Sequence, residues 1–392
     1  MRVAQLSLTD FRNYESAELE LVPGANLFVG SNGQGKTNLV EALGYLSTLG
    51  SHRVSSDQAM IRSGCDAAIV RARLVHGERT VLAEVQINRS GANRAQINRS
   101  PIKTRELPRY FSSVLFAPED LALVRGEPSG RRRFLDELLV LRSPRMSAVL
   151  ADYERVLRQR NTLLKSARSI GARANLGTLD IWDERLVGLG SEIIEARGAV
   201  VTELSPEVER AYSAIAGEHH AASLATSLSI LSVGGTDDED GGVDEKSISR
   251  GRLTAEETAP AFRAALEARR RAELDRGVTL VGPHRDDLIL TLNNLPARGY
   301  ASHGESWSYA LSLKLAAAAV LRRESNAGDP VLILDDVFAE LDESRRSRLA
   351  DAVDDFEQIL ITAAVLGDVP ERLATHTVRI QAGRIMEAAG DE

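Results

Sequence analysis

Apolar positions in the first thirty residues fall in short alternating sets and runs, the spacing of strands rather than helices. Val3, Leu6 and Leu8 lead into a polar turn at Asp10–Asn13, and Glu18–Leu21 follows. Pro23-Gly24 then turns the chain into the apolar run Leu27-Phe28-Val29. Beyond Gly30–Lys36 the period becomes helical, with Leu39, Val40, Leu43 and Leu46 on one face. Alternation returns over 69–99 (Val70, Ala72, Leu74; Val81, Ala83, Val85, Ile87; Ala95, Ile97), with a turn at Gly91-Ala92-Asn93. These stretches predict a sheet region.

From about Arg131 the period is 3.6. Phe134, Leu135, Leu138 and Leu139 predict one helix. Val149, Tyr153, Val156 and Leu163 or Leu164 predict a second, and Leu186, Leu189, Ile193, Val200 and Leu204 a third. Gly171–Gly177 separates the last two, each about 25 residues or roughly 35–40 Å long, so they are expected to pack antiparallel. Ser232–Gly251 is rich in Gly and Asp without apolar periodicity and predicts a mobile acidic loop. A helix over Ala259–Arg276 ends at Gly277. Strands are expected at Val278–Val281, Leu288–Leu292, Val331–Leu334, 359–362 and 377–381, with a long helix over Trp307–Arg323. A sheet region interrupted by about 170 mostly helical residues implies an α/β head of 1–108 and 280–392, with a helical arm inserted at 109–279.

Composition narrows the class. Aromatic residues are 4% of the 392, so Leu, Val, Ile and Ala build the cores. The longest near-apolar stretch, Leu311–Leu321, holds Lys314 and falls short of a membrane span. The first residues turn polar at once, unlike a signal peptide, and the lone Cys65 has no internal disulfide partner, so a soluble cytoplasmic protein is expected. The net charge of −8 argues against a protein that coats nucleic acid indiscriminately. Residues 51–150 nevertheless carry 17 basic against 10 acidic side chains, and Arg131-Arg132-Arg133 is the densest run. Arginine suits phosphate contacts through its planar donor fork, which makes these three candidate phosphate contacts, though charge by itself does not identify the partner. Arg133 also has Asp136 and Glu137 within helical reach.

Gly30-Ser31-Asn32-Gly33-Gln34-Gly35-Lys36-Thr37 fits G-x-x-x-x-G-K-[ST] between an apolar strand and an amphipathic helix, and Asn38 follows it. The glycines let backbone N–H groups converge on phosphate oxygens. Lys36 is expected to reach the β- and γ-phosphates of a nucleotide, and Thr37 to hold Mg²⁺. Val331-Leu332-Ile333-Leu334 followed by Asp335-Asp336 describes a buried parallel strand whose carboxyl end meets the nucleotide. Asp335 is the second Mg²⁺ candidate, and Asp336 stands where it polarises an attacking water. Adenylate kinase-like and GTPase folds share both motifs, so the pair implies nucleotide binding without its use. Ser302-His303-Gly304 opens the helix from Trp307 and makes a second anion-binding turn, with an N-cap serine as the simpler explanation. Ala339-Glu340-Leu341-Asp342 follows the acids.

In this order the motifs resemble those of ABC-type ATPases, and their wording is similar to that of the RecF family, related to SMC proteins. Leu8–Tyr14 (LTDFRNY), Gly30–Asn38, Leu115–Leu121 (LFAPEDL), Arg131–Asp136 (RRRFLD), Gly282–Leu288 (GPHRDDL) and Leu332–Asp342 (LILDDVFAELD) carry the likeness over nearly the whole chain. It implies an ABC-type head with a helical arm and a weak, DNA-dependent ATPase. It also implies an ATP-dependent homodimer on duplex or gapped DNA in which Ser302 and Gly304 act in trans. The implied role is in recombinational repair of replication gaps, with RecO and RecR as partners in placing RecA, and no membrane partner. Two positions depart from the pattern. Glu305 replaces the usual Gln and repels a phosphate unless it turns away, and Trp307 follows Ser306. Thr362 stands where transporter ATPases carry a switch histidine, which fits the family and slow turnover. Transporter subunits lack a long helical insertion at this place, and SMC proteins have far longer arms. A DNA-binding scaffold with a degenerate ATPase is the non-enzymatic alternative, resting on Glu305.

Overall fold

The computed structural model describes residues 1–170, 176–217, 221–232, 247–249, 251–325 and 328–386. Two compact units are resolved by contact: Met1–Leu121, Glu207–His220 and Ser302–Glu392 form the first, and Ala122–Pro206 with Ala221–Ala301 the second. The expected head and arm boundaries at 108/109 and 279/280 thus differ from these divisions. Ser113–Phe116 is a strand of the first unit's parallel sheet, while Asp287–Leu292 pairs with Ala222–Ser227 inside the second.

The first unit has two six-stranded sheets. One is antiparallel, ordered Tyr14–Glu20, Arg2–Phe11, Ala67–His76, Arg79–Asn88, Arg94–Ile97, Ser100–Ile102. Its register opposes Leu6 to both Leu19 and Ala72, so the alternating apolar positions share one buried face. The other runs Arg384–Met386, Thr377–Gln381, Gly24–Val29, Gln358–Ala363, Val331–Asp335, Ser113–Phe116, parallel throughout except at its first strand. Val331–Asp335 and Gln358–Ala363 are buried along their whole length, as central parallel strands require. One apolar core joins Leu6, Val70 and Val85 of the first sheet to Ile333 and Leu360 of the second, through Leu39, Val40 and Leu43 of the helix Lys36–Thr48. This mixed-sheet α/β head with a helical insertion is the expected fold class.

In the second unit Pro128–Arg142, Met146–Ile170 and Ala255–Arg276 are helices, and Leu179–Ala216 begins there. That last helix is 38 residues, longer than its periodicity predicts, because it continues through Pro206. Ion pairs Arg145–Glu192 and Arg160–Asp183 show that it runs antiparallel to Met146–Ile170. Thr254 and Glu257 form a reciprocal cap at the start of Ala255–Arg276, and Gly277 closes it in the left-handed region. Two features differ from expectation. Val278–Val281 is not a strand: side chains take its amides, Asn161 bonding Thr279 N and Glu273 bonding Leu280 N. Ala222–Ser227, unmarked by alternation, pairs with Asp287–Leu292 and with Ile248–Ser249. Those two residues come from the expected acidic loop, of which 233–246 and 250 lie outside the described residues. Among the described residues no helix is long and apolar enough to cross a membrane.

Candidate functional site

The loop after Gly24–Val29 is shaped by close backbone approach. A methyl at Gly30 would run into the Ile380 carbonyl. Gly35 has φ +115°, and a Cβ there would lie 2.8–3.0 Å from the Asn13 side chain and the Tyr14 hydroxyl. Surrounding groups then fix the loop. Gln34 O accepts from Asn13 Nδ2 (3.1 Å) and Gly383 N (2.9 Å), and the Tyr14 hydroxyl donates to Gly35 O (3.1 Å). Asn38 is held between Asn13 and Arg53 at 2.7 and 2.9 Å. Ser31, Asn32 and Gly33 stay exposed. Lys36 is only 3% exposed, yet its Nζ makes a single long hydrogen bond, 3.4 Å to Ser31 O.

Asp335 ends the strand Val331–Asp335, two strands away from Gly24–Val29, and Gln358–Ala363 lies between. The intervening strand supplies Thr362, paired in register with Asp335. Thr362 Oγ1 donates to Asp335 Oδ1 at 2.6 Å and accepts from Asp336 N at 2.9 Å, while Thr37 Oγ1 donates to the same Asp335 oxygen at 3.1 Å. Residues 37 and 335, some 300 positions apart, are thereby brought together. Burial pushes the Asp335 carboxyl up to about 6; the hydroxyl bonds oppose the shift, and the neighbouring Asp336 and Glu119 charges add to it. Asp336 adopts φ +51°, and its Oδ1 is buried without a partner. A cation neutralises such paired carboxylates, and one hydroxyl plus one carboxylate is a donor set suited to Mg²⁺ completed by phosphate and water. Among the described residues no group of three or more His, Cys, Asp or Glu is placed to hold a metal ion.

Two neighbours carry no signal in the sequence. His52, just beyond the helix Lys36–Thr48, places Nε2 3.9 Å from Asp335 Oδ2. Glu41, facing inward on that helix, takes both nitrogens of the Arg12 fork, at 2.8 and 2.5 Å, and the Ser51 hydroxyl. Burial alone would raise its carboxyl, but these bonds outweigh it and hold the group below its usual range. Arg12, Asn13, Asn38 and Arg53 line a cleft of about 760 Å³ at the edge of the loop.

Ser302 is the N-cap of the helix His303–Glu324, four residues earlier than periodicity marked its start. The departure at Glu305 has a structural explanation: its carboxylate turns back to accept from Ser302 N (2.7 Å), while Ser302 Oγ accepts from Glu305 N (3.3 Å). Gly304 lies under the Arg345 guanidinium, where a Cβ would collide with Nη1. Trp307 donates to His303 Nε2 at 3.0 Å and packs edge-on against Phe116, so its substitution is absorbed by packing.

The three arginines of the run sit in different surroundings. Arg131, expected as a DNA contact, is 4% exposed and grips Asp287 with two bonds of 2.7 Å. Arg132 donates to Asp286 O at 2.7 Å. Only Arg133 is exposed, with Glu137 3.8 Å away. Residues outside both motifs tie RRRFLD and GPHRDDL down further: Arg197 bonds Asp136 and Pro283 O, and Ser229 bonds Asp286 Oδ1, while Asp286 Oδ2 is buried without a partner.

Residues 2–382 match the family described as RecF/RecN/SMC N terminal domain. The chain is 65% identical to the DNA replication and repair protein RecF of Clavibacter michiganensis subsp. michiganensis, over 99% of this chain and 96% of that protein. It is similar to a solved structure of the recombination mediator protein RecF with ATP in the RecFOR pathway (28% identity, TM-score 0.83, covering 99% of this chain and 97% of that one). An Smc head domain from Pyrococcus furiosus shares the fold at 15% identity, with a TM-score of 0.52 over 98% of this chain and 94% of that one.

Proposed function

The chain belongs to the RecF family of ABC-type ATPases, and from that premise we propose an ATP-dependent DNA-binding protein that repairs replication gaps. The observation that carries the reading is the hydroxyl–carboxylate chain Thr37–Asp335–Thr362, which closes on the Asp336 amide beside the glycine loop. ATP lays its phosphates on the loop amides, and Lys36 exchanges its long bond to Ser31 O for phosphate oxygens. Its nucleoside extends toward the cleft beside Asn13 and Asn38. Thr37 and Asp335 hold Mg²⁺, which neutralises phosphate charge when bound. Asp336, with an unpartnered oxygen, orients the attacking water. Thr362 spends its hydroxyl on Asp335 and cannot replace a switch histidine, so turnover is slow.

Binding closes a homodimer on DNA, and slow hydrolysis opens it. The Ser302 hydroxyl and the Gly304 amide complete the site of the opposite subunit, with Glu305 turned aside in its own cap. RecO and RecR act with this clamp in placing RecA, and the resemblance to a structure from the RecFOR pathway supports that assignment. Ser302→Arg leaves Lys36, Thr37 and Asp335 intact. Sedimentation with and without ATP, on gapped and duplex DNA, should show an ATP-dependent dimer for the wild type and an ATP-binding monomer for the variant. A wild type that stays monomeric at saturating ATP with DNA present contradicts the clamp.

A further inference from the structure

Asp335 uses its two oxygens differently. Oδ1 accepts from Thr37 at 3.1 Å and Thr362 at 2.6 Å, whereas Oδ2 faces His52 Nε2 at 3.9 Å, too far for a direct hydrogen bond. That imidazole nitrogen is buried and has no partner. One water oxygen spans such a gap with a bond to each side. The loop carrying His52 is also pinned from both sides. Ser51 bonds Glu41 of the helix Lys36–Thr48, Arg53 bonds Asn38, and the Ser51 hydroxyl accepts from Arg53 N and Val54 N. A side chain serving only to fill space has no need of a polar atom aimed at a carboxylate.

Resting on the nucleotide-site reading above, we propose that His52 is a positioning residue for the hydrated divalent cation. Its Nε2 hydrogen-bonds a water of the cation's shell that Asp335 Oδ2 also holds. Outer partners of this kind set the geometry of a metal held by few protein ligands, and their loss typically costs 10–100-fold in metal affinity or activity. His52 touches neither nucleotide phosphate nor the reacting atoms, so its signature is a changed response to Mg²⁺ with phosphate binding preserved.

The test uses the full chain, a fluorescent ATP analogue and Mg²⁺ alone as the varied component. In EDTA, His52→Leu and His52→Gln should bind the analogue within about twofold of wild type, because the glycine loop and Lys36 are untouched. The Mg²⁺ concentration that half-saturates tightening of the complex should rise about tenfold in His52→Leu. His52→Gln keeps a polar group of similar reach and should recover most of that loss. A His52→Leu protein with the wild-type Mg²⁺ response overturns the proposal. Equal loss of affinity with and without Mg²⁺ also overturns it, since that marks a disturbed loop. If His52→Leu does not fold, His52→Asn replaces it under the same criteria. A wild type whose analogue affinity ignores Mg²⁺ would instead bring down the reading of the site itself.

Discussion

Lys36 and Arg160 are both almost completely buried cations, and the protein treats them in opposite ways. Arg160 in the second unit is fully enclosed and spends its donors on Asp183 (2.6 Å), Glu273 (2.7 Å) and Thr279 (2.9 Å). Lys36 in the first unit has three donors and one contact of 3.4 Å. Nearby, Asp336 Oδ1 and His52 Nε2 are likewise buried without partners. Burying a charge without compensation is costly, and a ligand that supplies the missing bonds removes that cost. Single unpartnered atoms occur elsewhere among the described residues, Asp286 Oδ2 and His76 Nε2 among them, but around Lys36 they cluster beside a glycine loop.

The largest separation of the two regions is expected from Arg160→Met. It leaves Glu273 with the Leu280 amide but no counter-charge, whereas Asp183 retains Arg270 at 2.6 Å. Removing one member of a buried ion network costs about 3–5 kcal/mol. Urea unfolding should report a loss of that order, with nucleotide affinity within about twofold of wild type. An unchanged unfolding midpoint would mean that the network contributes no stability.

Asp336→Asn acts on the other region. Asparagine tolerates the left-handed φ of +51° at this position, so stability should hold. Losing a group that orients the attacking water should slow single-turnover ATP hydrolysis on the order of 10²-fold, with ATP binding retained. Normal hydrolysis would reduce Asp336 to a strand-end residue.

A smaller effect concerns pH. His284 bonds the Tyr153 hydroxyl at 2.8 Å, and burial lowers its pKa to about 4. A depressed value means the unfolded chain takes up the proton first. The stability from the neutral ring is complete above about pH 6.5 and is lost as pH falls toward 4. Over that window it contributes a slope of up to about 1.4 kcal/mol per pH unit. His284→Gln should be less stable than wild type at pH 7.5 and lose less stability between pH 6.5 and 4.5, as measured by denaturant titration at each pH.

The nucleotide face was legible in the sequence because its chemistry is local. Eight consecutive residues bend the glycine loop, and four apolar residues before Asp335 mark a buried parallel strand. The alternation at Val70–Leu74 and Val81–Ile87 likewise announced the antiparallel sheet, since one face of it is buried. What the sequence leaves hidden depends on distant partners. His52 carries no periodic signal, and its meaning comes from Asp335, nearly 300 residues away. Arg131 reads as a surface cation because Asp287, its partner, is 156 positions on. Val278–Val281 reads as a strand, but the side chains of Asn161 and Glu273 capture its amides. Glu305 reads as a hostile charge until its capping bond to Ser302 N is seen.

The central claim is that the unspent bonds around Lys36 await nucleotide phosphates. Equilibrium titration of a fluorescent ATP analogue into wild type and Lys36→Ala, with thermal unfolding of the same samples, tests it most directly. Losing a charge-assisted bond to phosphate should weaken binding by roughly thirty- to a hundredfold. The unfolding midpoint without nucleotide should stay level or rise, because an under-partnered buried charge has been removed. Equal affinity in the two proteins, or a fall in stability that accounts for the lost binding, would contradict the account.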